Sequence, residues 1–144
     1  MLKVQIYLTF DGKTEEAFNF YKSIFGGEFQ MKQTFGESNV DQDVPADLKG
    51  RIMHVALPIG TEGDMLMGSD TFPGMGQEFV EGTNISVSLH PDSEEETKRI
   101  FEALSAGGEV VMPLNKTFWN ALYGMCRDKF GINWMINYDL GGEQ

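Results

Sequence analysis

The chain has 144 residues, a length that favours one domain or two tightly fused halves. Hydrophobic residues make up 41% and charged residues 23%, which excludes a disordered or collagen-like chain. Asp and Glu number 22 against 11 Lys and Arg, so the formal charge is −11. Because so acidic a surface repels phosphate backbones and anionic lipids, we expect neither a nucleic-acid partner nor a membrane partner.

One cysteine, Cys126, is present, so the chain can form neither an internal disulfide nor a thiolate zinc site of its own. A single cysteine is typical of a reducing compartment. The N-terminal segment has no long apolar core, and no run approaches the roughly 18–20 residues of a membrane span. We therefore expect a cytoplasmic protein.

The first half of the chain predicts a strand, a helix and three further strands. Residues 4–10 are β-branched and aromatic and end at the turn Asp11-Gly12, which predicts a strand. From Thr14 the apolar residues follow a helical period until Gly26-Gly27, and strands follow at 28–35, 52–59 and 65–69. The polar stretch 36–50 is typical of a long loop and is a candidate lid.

The second half repeats this order. Residues 84–90 predict a strand, and Ser93 with Glu96 forms a capping-box signature that opens a helix. Gly107-Gly108 ends that helix, and strands follow at 109–114, 121–127 and 133–138.

The repeated order predicts an α+β fold of two βαβββ repeats that form a curved mixed sheet, an open barrel-like trough with the helices outside. The repeats are predicted at 1–71 and 83–144, joined by the Gly/Pro-rich linker 72–82, and together they form one structural domain.

Strand alternation separates a polar side from an apolar side in the first strand of each repeat. Gln5, Tyr7 and Thr9 share one side of the first. Asn84 and Ser86 share one side of its counterpart with Ser88. Because the apolar sides must meet the helices, the polar sides are expected to orient a small ligand in a cleft; alternatively they face water in an open groove.

Aromatic and methionine side chains form a second candidate set. Trp119, Tyr123 and Met125 come from the last strands, near Met135, and with Met67 they would make an adaptable apolar wall; alternatively they belong to the core.

His54 lies between apolar same-side neighbours and is a candidate general base or metal ligand, although a packed structural role is the commoner one. His90 is expected near a turn, and Cys126, opposite Met125, is expected to be buried and inert. Residues 128–131 predict a tight turn.

Several stretches together resemble one family. They are Phe10-Asp11-Gly12, Ile52-Met53-His54-Val55, Met65-Leu66-Met67-Gly68-Ser69-Asp70 and Asp128-Lys129-Phe130-Gly131-Ile132-Asn133-Trp134. They resemble the PhnB-like branch of the vicinal oxygen chelate superfamily (glyoxalase I, bleomycin-resistance proteins and extradiol dioxygenases), a branch also labelled 3-demethylubiquinone-9 3-methyltransferase-like. The resemblance implies a glyoxalase/bleomycin-resistance-like fold and a homodimer.

Enzymes of that superfamily hold a divalent metal with ligands from the first and last strand of each repeat. Mapped by the resemblance, these positions fall near Gln5, Met67 (or Leu66), Asn84 and Met135, where the usual His and Glu are absent. We therefore expect no metal and no cofactor, because these side chains are poor ligands for hard divalent ions. Methyltransferase chemistry is not expected either, since Gly74-Met75-Gly76 follows a proline and precedes no helix.

Three functions remain open. The first is binding of a small organic molecule in the sheet cleft, without the usual metal. The second is a metal-dependent enzyme of lyase, isomerase or dioxygenase type, with a rearranged site such as His54 beside Asp70 or Glu78. The third is a structural or regulatory dimer that binds no ligand.

Overall fold

The computed structural model of the protein describes residues 2–38, 44–72 and 78–141. The chain separates into two compact units, Met1–Val80 and Glu81–Gln144. The middle of the 36–50 loop and the linker motif Gly74-Met75-Gly76 lie outside the described residues. Within the described residues no helix is both long and apolar enough to cross a membrane.

The first unit is a four-stranded mixed sheet with one long helix. Strand β1 runs parallel to β4, and the other neighbours are antiparallel, in the order β1-β4-β3-β2. A 3₁₀ turn, Ala46–Leu48, precedes β3. The elements are β1 (Ile6–Phe10), α1 (Thr14–Phe25), β2 (Met31–Thr34), a short α2 (Phe35–Ser38), β3 (Ile52–Ile59) and β4 (Asp64–Asp70).

Helix α1 covers one face of this sheet. Its apolar stripe, which includes Phe18 and Tyr21, is buried. A Cβ on Gly68 would stand 2.7 Å from Phe18 Cε1, so only glycine allows so close a packing of helix on strand. Gly68 therefore marks the side of β4 that faces α1, and Met67 and Ser69 lie on the opposite side.

Asp70 ties the start of α1 to the start of β3. Its Oδ1 accepts hydrogen bonds from the Thr14 backbone N–H at 3.0 Å and the Thr14 hydroxyl at 2.7 Å. Its Oδ2 accepts the Ile52 backbone N–H at 2.9 Å. A carboxylate that is 2% exposed is stable there because several donors solvate it and because the helix N-terminus favours negative charge.

The second unit repeats this topology. The sheet order is β5-β8-β7-β6, with β5 parallel to β8 and the other neighbours antiparallel. The elements are β5 (Val87–Leu89), α3 (Glu94–Ser105), β6 (Glu109–Lys116), β7 (Ala121–Arg127) and β8 (Asn133–Asp139).

Helix α3 likewise covers one face of the second sheet. Ser93 caps it, because the Ser93 hydroxyl accepts the Glu96 backbone N–H at 3.1 Å. A Cβ on Gly124 would stand 2.8 Å from Phe101 Cε1, so Gly124 marks the side of β7 that faces α3. Met125 therefore lies on the opposite side.

The turn between β7 and β8 is built around Asp128. Its Oδ1 accepts the backbone N–H groups of Phe130 and Ile132, and its Oδ2 accepts the Trp134 indole N–H at 2.8 Å. Gly131 supplies the φ of 93° that the turn requires. The predicted tight turn is confirmed.

The α+β fold with two βαβββ modules is confirmed, and the differences from prediction are local. The strand predicted at 84–90 is only Val87–Leu89, because the Asn133 amide donates to the Gly82 and Ile85 carbonyls ahead of it. The strand predicted at 28–35 covers only Met31–Thr34, and the next four residues, Phe35–Ser38, form the short helix α2. The open barrel-like trough stays a prediction.

Candidate functional site

Three side chains that the sequence singled out, those of Tyr7, Met67 and His54, lie close together on the face of the first sheet opposite α1, beside Ala56. Tyr7 pairs with Met67, and Met67 pairs with Ala56 on the next strand. His54 lies two residues along β3 on the same side, and its ring centroid is 5.9 Å from that of Tyr7. The two rings are inclined by 31°, so they form a tilted pair that spans the strand between them.

His54 has an aromatic neighbour and not the carboxylate that a rearranged metal site requires. Asp70 faces α1 and is engaged by Thr14 and Ile52. Glu78 is exposed beyond the end of β4. The predicted pairing of His54 with either acid is thus absent among the described contacts.

The polar side of β1 is only partly available to a ligand. Gln5 precedes the strand, and its Oε1 accepts the Met65 backbone N–H at 3.1 Å, which ties the chain ahead of β1 to β4. Thr9 pairs with Ser69 on the face opposite α1. Tyr7 remains 49% exposed. Tyr7 and Thr9 can therefore meet a ligand, whereas Gln5 has a structural partner.

This face carries no Lys, Arg, Asp or Glu on the four described strands. Its groups are phenol, hydroxyl, carboxamide, imidazole, thioether and aliphatic. The positions on this side are Tyr7, Thr9, Met31, Gln33, His54, Ala56, Pro58, Met65, Met67 and Ser69.

The face of the second sheet opposite α3 is organised around methionines. Met135 pairs with Ser88 on one side and with Met125 on the other. Met125 in turn pairs with Met112 of β6. Met125 and Met135 belong to the predicted apolar wall, whereas Met112 does not. Sequence alternation missed Met112 because β6 is irregular on both sides of it.

Aromatic rings continue this face towards the β6–β7 turn. The Trp119 ring centroid is 4.9 Å from that of Phe118 and 5.9 Å from that of Tyr123, both in edge-on contact. Trp119 lies in the turn, where it is 51% exposed, and Phe118 is 95% exposed. Trp119 and Tyr123 thus form an accessible aromatic edge.

The charged end of the second face is already paired. The Arg127 guanidinium donates to Glu81 at 2.9 Å, to the Gly82 carbonyl and to the Asn133 side chain. Asn84 and Ser86 lie ahead of β5, in the segment that Asn133 and Arg127 hold. These two predicted ligand-binding residues are therefore not on a strand of the sheet.

The family model described as 3-demethylubiquinone-9 3-methyltransferase matches residues 2–137. The chain belongs to this family, the PhnB-like branch of the vicinal oxygen chelate superfamily. Protein YjdN of Escherichia coli K12 is 32% identical over 139 residues, which cover 91% of each chain.

Solved structures agree with this assignment for the PhnB-like chain. Protein PA1353 from Pseudomonas aeruginosa is 41% identical, with a TM-score of 0.81 over 98% of this chain and 100% of that one. The putative 3-demethylubiquinone-9 3-methyltransferase PhnB protein from Bacillus cereus is 25% identical, with a TM-score of 0.74 over 95% and 99%. A glyoxalase-related enzyme from Fulvimarina pelagi, 16% identical with a TM-score of 0.61, shares the fold.

At the four positions that the resemblance maps to the metal, the side chains are not the His and Glu with which superfamily enzymes hold a divalent ion. The described residues contain no group of three His, Cys, Asp or Glu side chains that could hold a metal ion. Of the four mapped positions, Gln5 is hydrogen-bonded to Met65, and Asn84 is outside the sheet. Met67 and Met135 offer thioethers, which are poor ligands for hard divalent ions.

Cys126 is buried, as predicted, on the side of β7 opposite Met125. Burial, with a smaller contribution from the Asp128 charge, raises the pKa of the Cys126 thiol to about 12. A thiol with so high a pKa is protonated at neutral pH and is no nucleophile.

His90 lies exposed with its Nε2 3.1 Å from the Ser88 hydroxyl, near the turn where it was predicted.

Proposed function

We propose that the PhnB-like chain binds a small organic molecule on the sheet faces that α1 and α3 leave uncovered, without the usual divalent metal. The observation that carries the proposal is the Tyr7–His54 ring pair beside Met67 on three adjacent strands. Aromatic and thioether groups supply adaptable apolar contact, and a few polar groups among them supply orientation.

The charges of these faces favour an uncharged or cationic ligand. The described strands of the first sheet place no Lys or Arg on this side, and Arg127 of the second sheet is bound to Glu81. An anionic ligand would lose its water without gaining a free cation in return, and the net charge of −11 would repel it.

Three environment-sensitive dyes test this proposal: neutral Nile red, cationic thioflavin T and anionic anilinonaphthalene sulfonate. We expect the first two to bind the native protein and to raise its melting temperature, because binding to the native state stabilises it. Tyr7→Leu should weaken binding. The matched control Phe29→Leu should not, since Phe29 contacts the Lys22 and Lys32 ammonium groups instead.

Equal dye binding by Tyr7→Leu and wild type, or preferential binding of the anionic dye, would overturn the proposal. Retention of about one divalent ion per chain after desalting would support a metal-dependent enzyme instead. If no dye and no metal ion binds the protein, the result would support the third hypothesis, a structural or regulatory dimer that binds no ligand.

We also propose that the chain is a homodimer, as the family resemblance implies. Support comes from β6, the last strand in its sheet, where Val110 and Val111 are exposed apolar residues. Light scattering should give twice the chain mass, and Val111→Lys should reduce it towards the monomer value. A monomeric wild type would refute this. The cytoplasmic location stays a prediction.

A further inference from the structure

Three methionines occupy facing positions on three neighbouring strands of the second sheet. Met135 of β8 pairs with Met125 of β7, and Met125 pairs with Met112 of β6. Residues that face each other across antiparallel strands have Cβ atoms about 4.5–5.5 Å apart. Because methionine has three rotatable bonds, the three sulfur atoms can converge on one point above the middle strand.

We propose that Met112, Met125 and Met135 bind one soft monovalent cation, Cu(I) or Ag(I). A thioether is a soft, uncharged donor, and such donors select Cu(I) over hard divalent ions. The methionines lie on the face opposite α3, which is also part of the surface proposed for the organic ligand, but the proposal does not rest on that ligand. The ion is of a different class from the divalent metals of the superfamily.

The surroundings of this methionine row suit a cation. The Tyr123 side chain lies on the same face two residues from Met125, and its ring contacts Trp119; the faces of aromatic rings attract cations. Met112 is 46% exposed, so an ion can enter from solvent.

The first sheet provides an internal comparison. In the corresponding row Met67 pairs with Ala56, and Ala56 pairs with Met31, so an alanine separates the two thioethers. The first sheet therefore has no run of three facing methionines, and we expect the soft ion to bind only to the second.

The test is titration of the full chain with Ag(I) in chloride-free buffer, followed by calorimetry. Cys126 is first replaced by alanine, since a soft ion can displace the thiol proton and bind the cysteine sulfur in competition with the methionines. We expect one Ag(I) per chain. Met125→Leu should weaken binding by more than about tenfold because one of three ligands is lost, whereas the control Met65→Leu on the first sheet should leave the affinity unchanged.

The pH dependence provides a second readout. A thioether has no proton to lose, so Ag(I) should bind equally well at pH 5 and pH 7, whereas binding through an imidazole would in general weaken at the lower pH. Near-ultraviolet circular dichroism should show that Met125→Leu is folded, because Leu and Met have similar volumes.

Three results would each overturn the proposal: no Ag(I) binding once Cys126 is replaced, unchanged affinity in Met125→Leu, or loss of binding at pH 5. The dye experiment is separate, because its result depends on Tyr7. Failure of either proposal therefore does not decide the other.

Discussion

The two βαβββ modules secure their helices in different ways. In the first, the N-terminus of α1 is held by Asp70, which lies 56 positions away from Thr14. In the second, the N-terminus of α3 is held by the neighbouring Ser93, whose hydroxyl accepts the Glu96 backbone N–H. In two modules of the same topology, the N-terminus of one helix is thus capped by a distant buried carboxylate, and the N-terminus of the other is capped by a neighbouring hydroxyl.

The burial of each cap determines how far its removal would lower the free energy of unfolding. Asp70 and Thr14 are buried, so water cannot replace a lost hydrogen bond there. Ser93 is partly exposed, and water can reach the freed N–H of Glu96. The long-range cap should therefore be the more costly of the two to remove.

The largest effect is expected for Asp70→Ala. The substitution strands the backbone N–H groups of Thr14 and Ile52 and the Thr14 hydroxyl in the core, and should lower the free energy of unfolding by about 3–5 kcal/mol. Urea denaturation measures the change. The control Asp64→Ala, at the exposed start of β4, should cost less than about 0.5 kcal/mol. Equal losses would contradict the assigned role.

A somewhat smaller effect is expected for Asp128→Ala, which removes the buried carboxylate of the second module. The indole N–H of Trp134 would lose its hydrogen bond to Oδ2, and the turn would lose two bonds to Oδ1, at a cost of about 2–4 kcal/mol. Near-ultraviolet circular dichroism of Trp134 should change as well. Asp139→Ala, at the exposed end of β8, is the control; a comparable loss there would refute the prediction.

A still smaller effect is expected for the local cap. Ser93→Ala should destabilise the protein by about 1 kcal/mol, and Ser93→Asp should retain most of the stability because aspartate also caps helices. Together with Asp70→Ala the losses should add to within about 0.5 kcal/mol, since the two caps have no partner in common. A loss from Ser93→Ala as large as that from Asp70→Ala would remove the distinction between the caps.

Sequence reasoning found the second cap and missed the first for a physical reason. Ser93 and Glu96 are three residues apart, so their pattern is visible locally. Asp70 lies 56 positions from Thr14 in the sequence, so no local pattern records their contact. Local periodicity therefore predicted the two long helices, α1 and α3, and most strands, but it missed the short α2, and contacts between distant segments required the structure.

In the candidate site, strand alternation assigned side chains to a face only where the strand is regular. Alternation placed Tyr7 and Thr9 correctly on the face opposite α1, because β1 is regular. It failed for Asn84, which precedes β5 in a segment held by Asn133. It also missed Met112, whose strand is irregular on either side, so counting residues does not give its face.

Each module contains an arginine whose guanidinium joins two segments of the chain. Arg127 joins Glu81 to the Gly82 carbonyl, whereas Arg51 joins Asp11 to Thr71. The Thr71 hydroxyl, and then the Arg51 guanidinium, lower the pKa of Asp11 below its ordinary 3.8. Because the folded-state pKa is the lower one, the stabilisation is present above pH 3.8 and is lost as the pH falls through the folded value.

Asp11→Asn should therefore lower stability slightly at neutral pH, and its difference from wild type should disappear in acid. The effect is the smallest of the four because Asp11 is exposed and water screens the contact. Urea unfolding from pH 2 to pH 7 measures it. Thr71→Val should shrink the same pH-dependent difference, because it removes the larger cause of the lowered pKa. Curves for wild type and Asp11→Asn that stay parallel down to pH 2 would show that the Asp11 carboxylate contributes nothing through its charge.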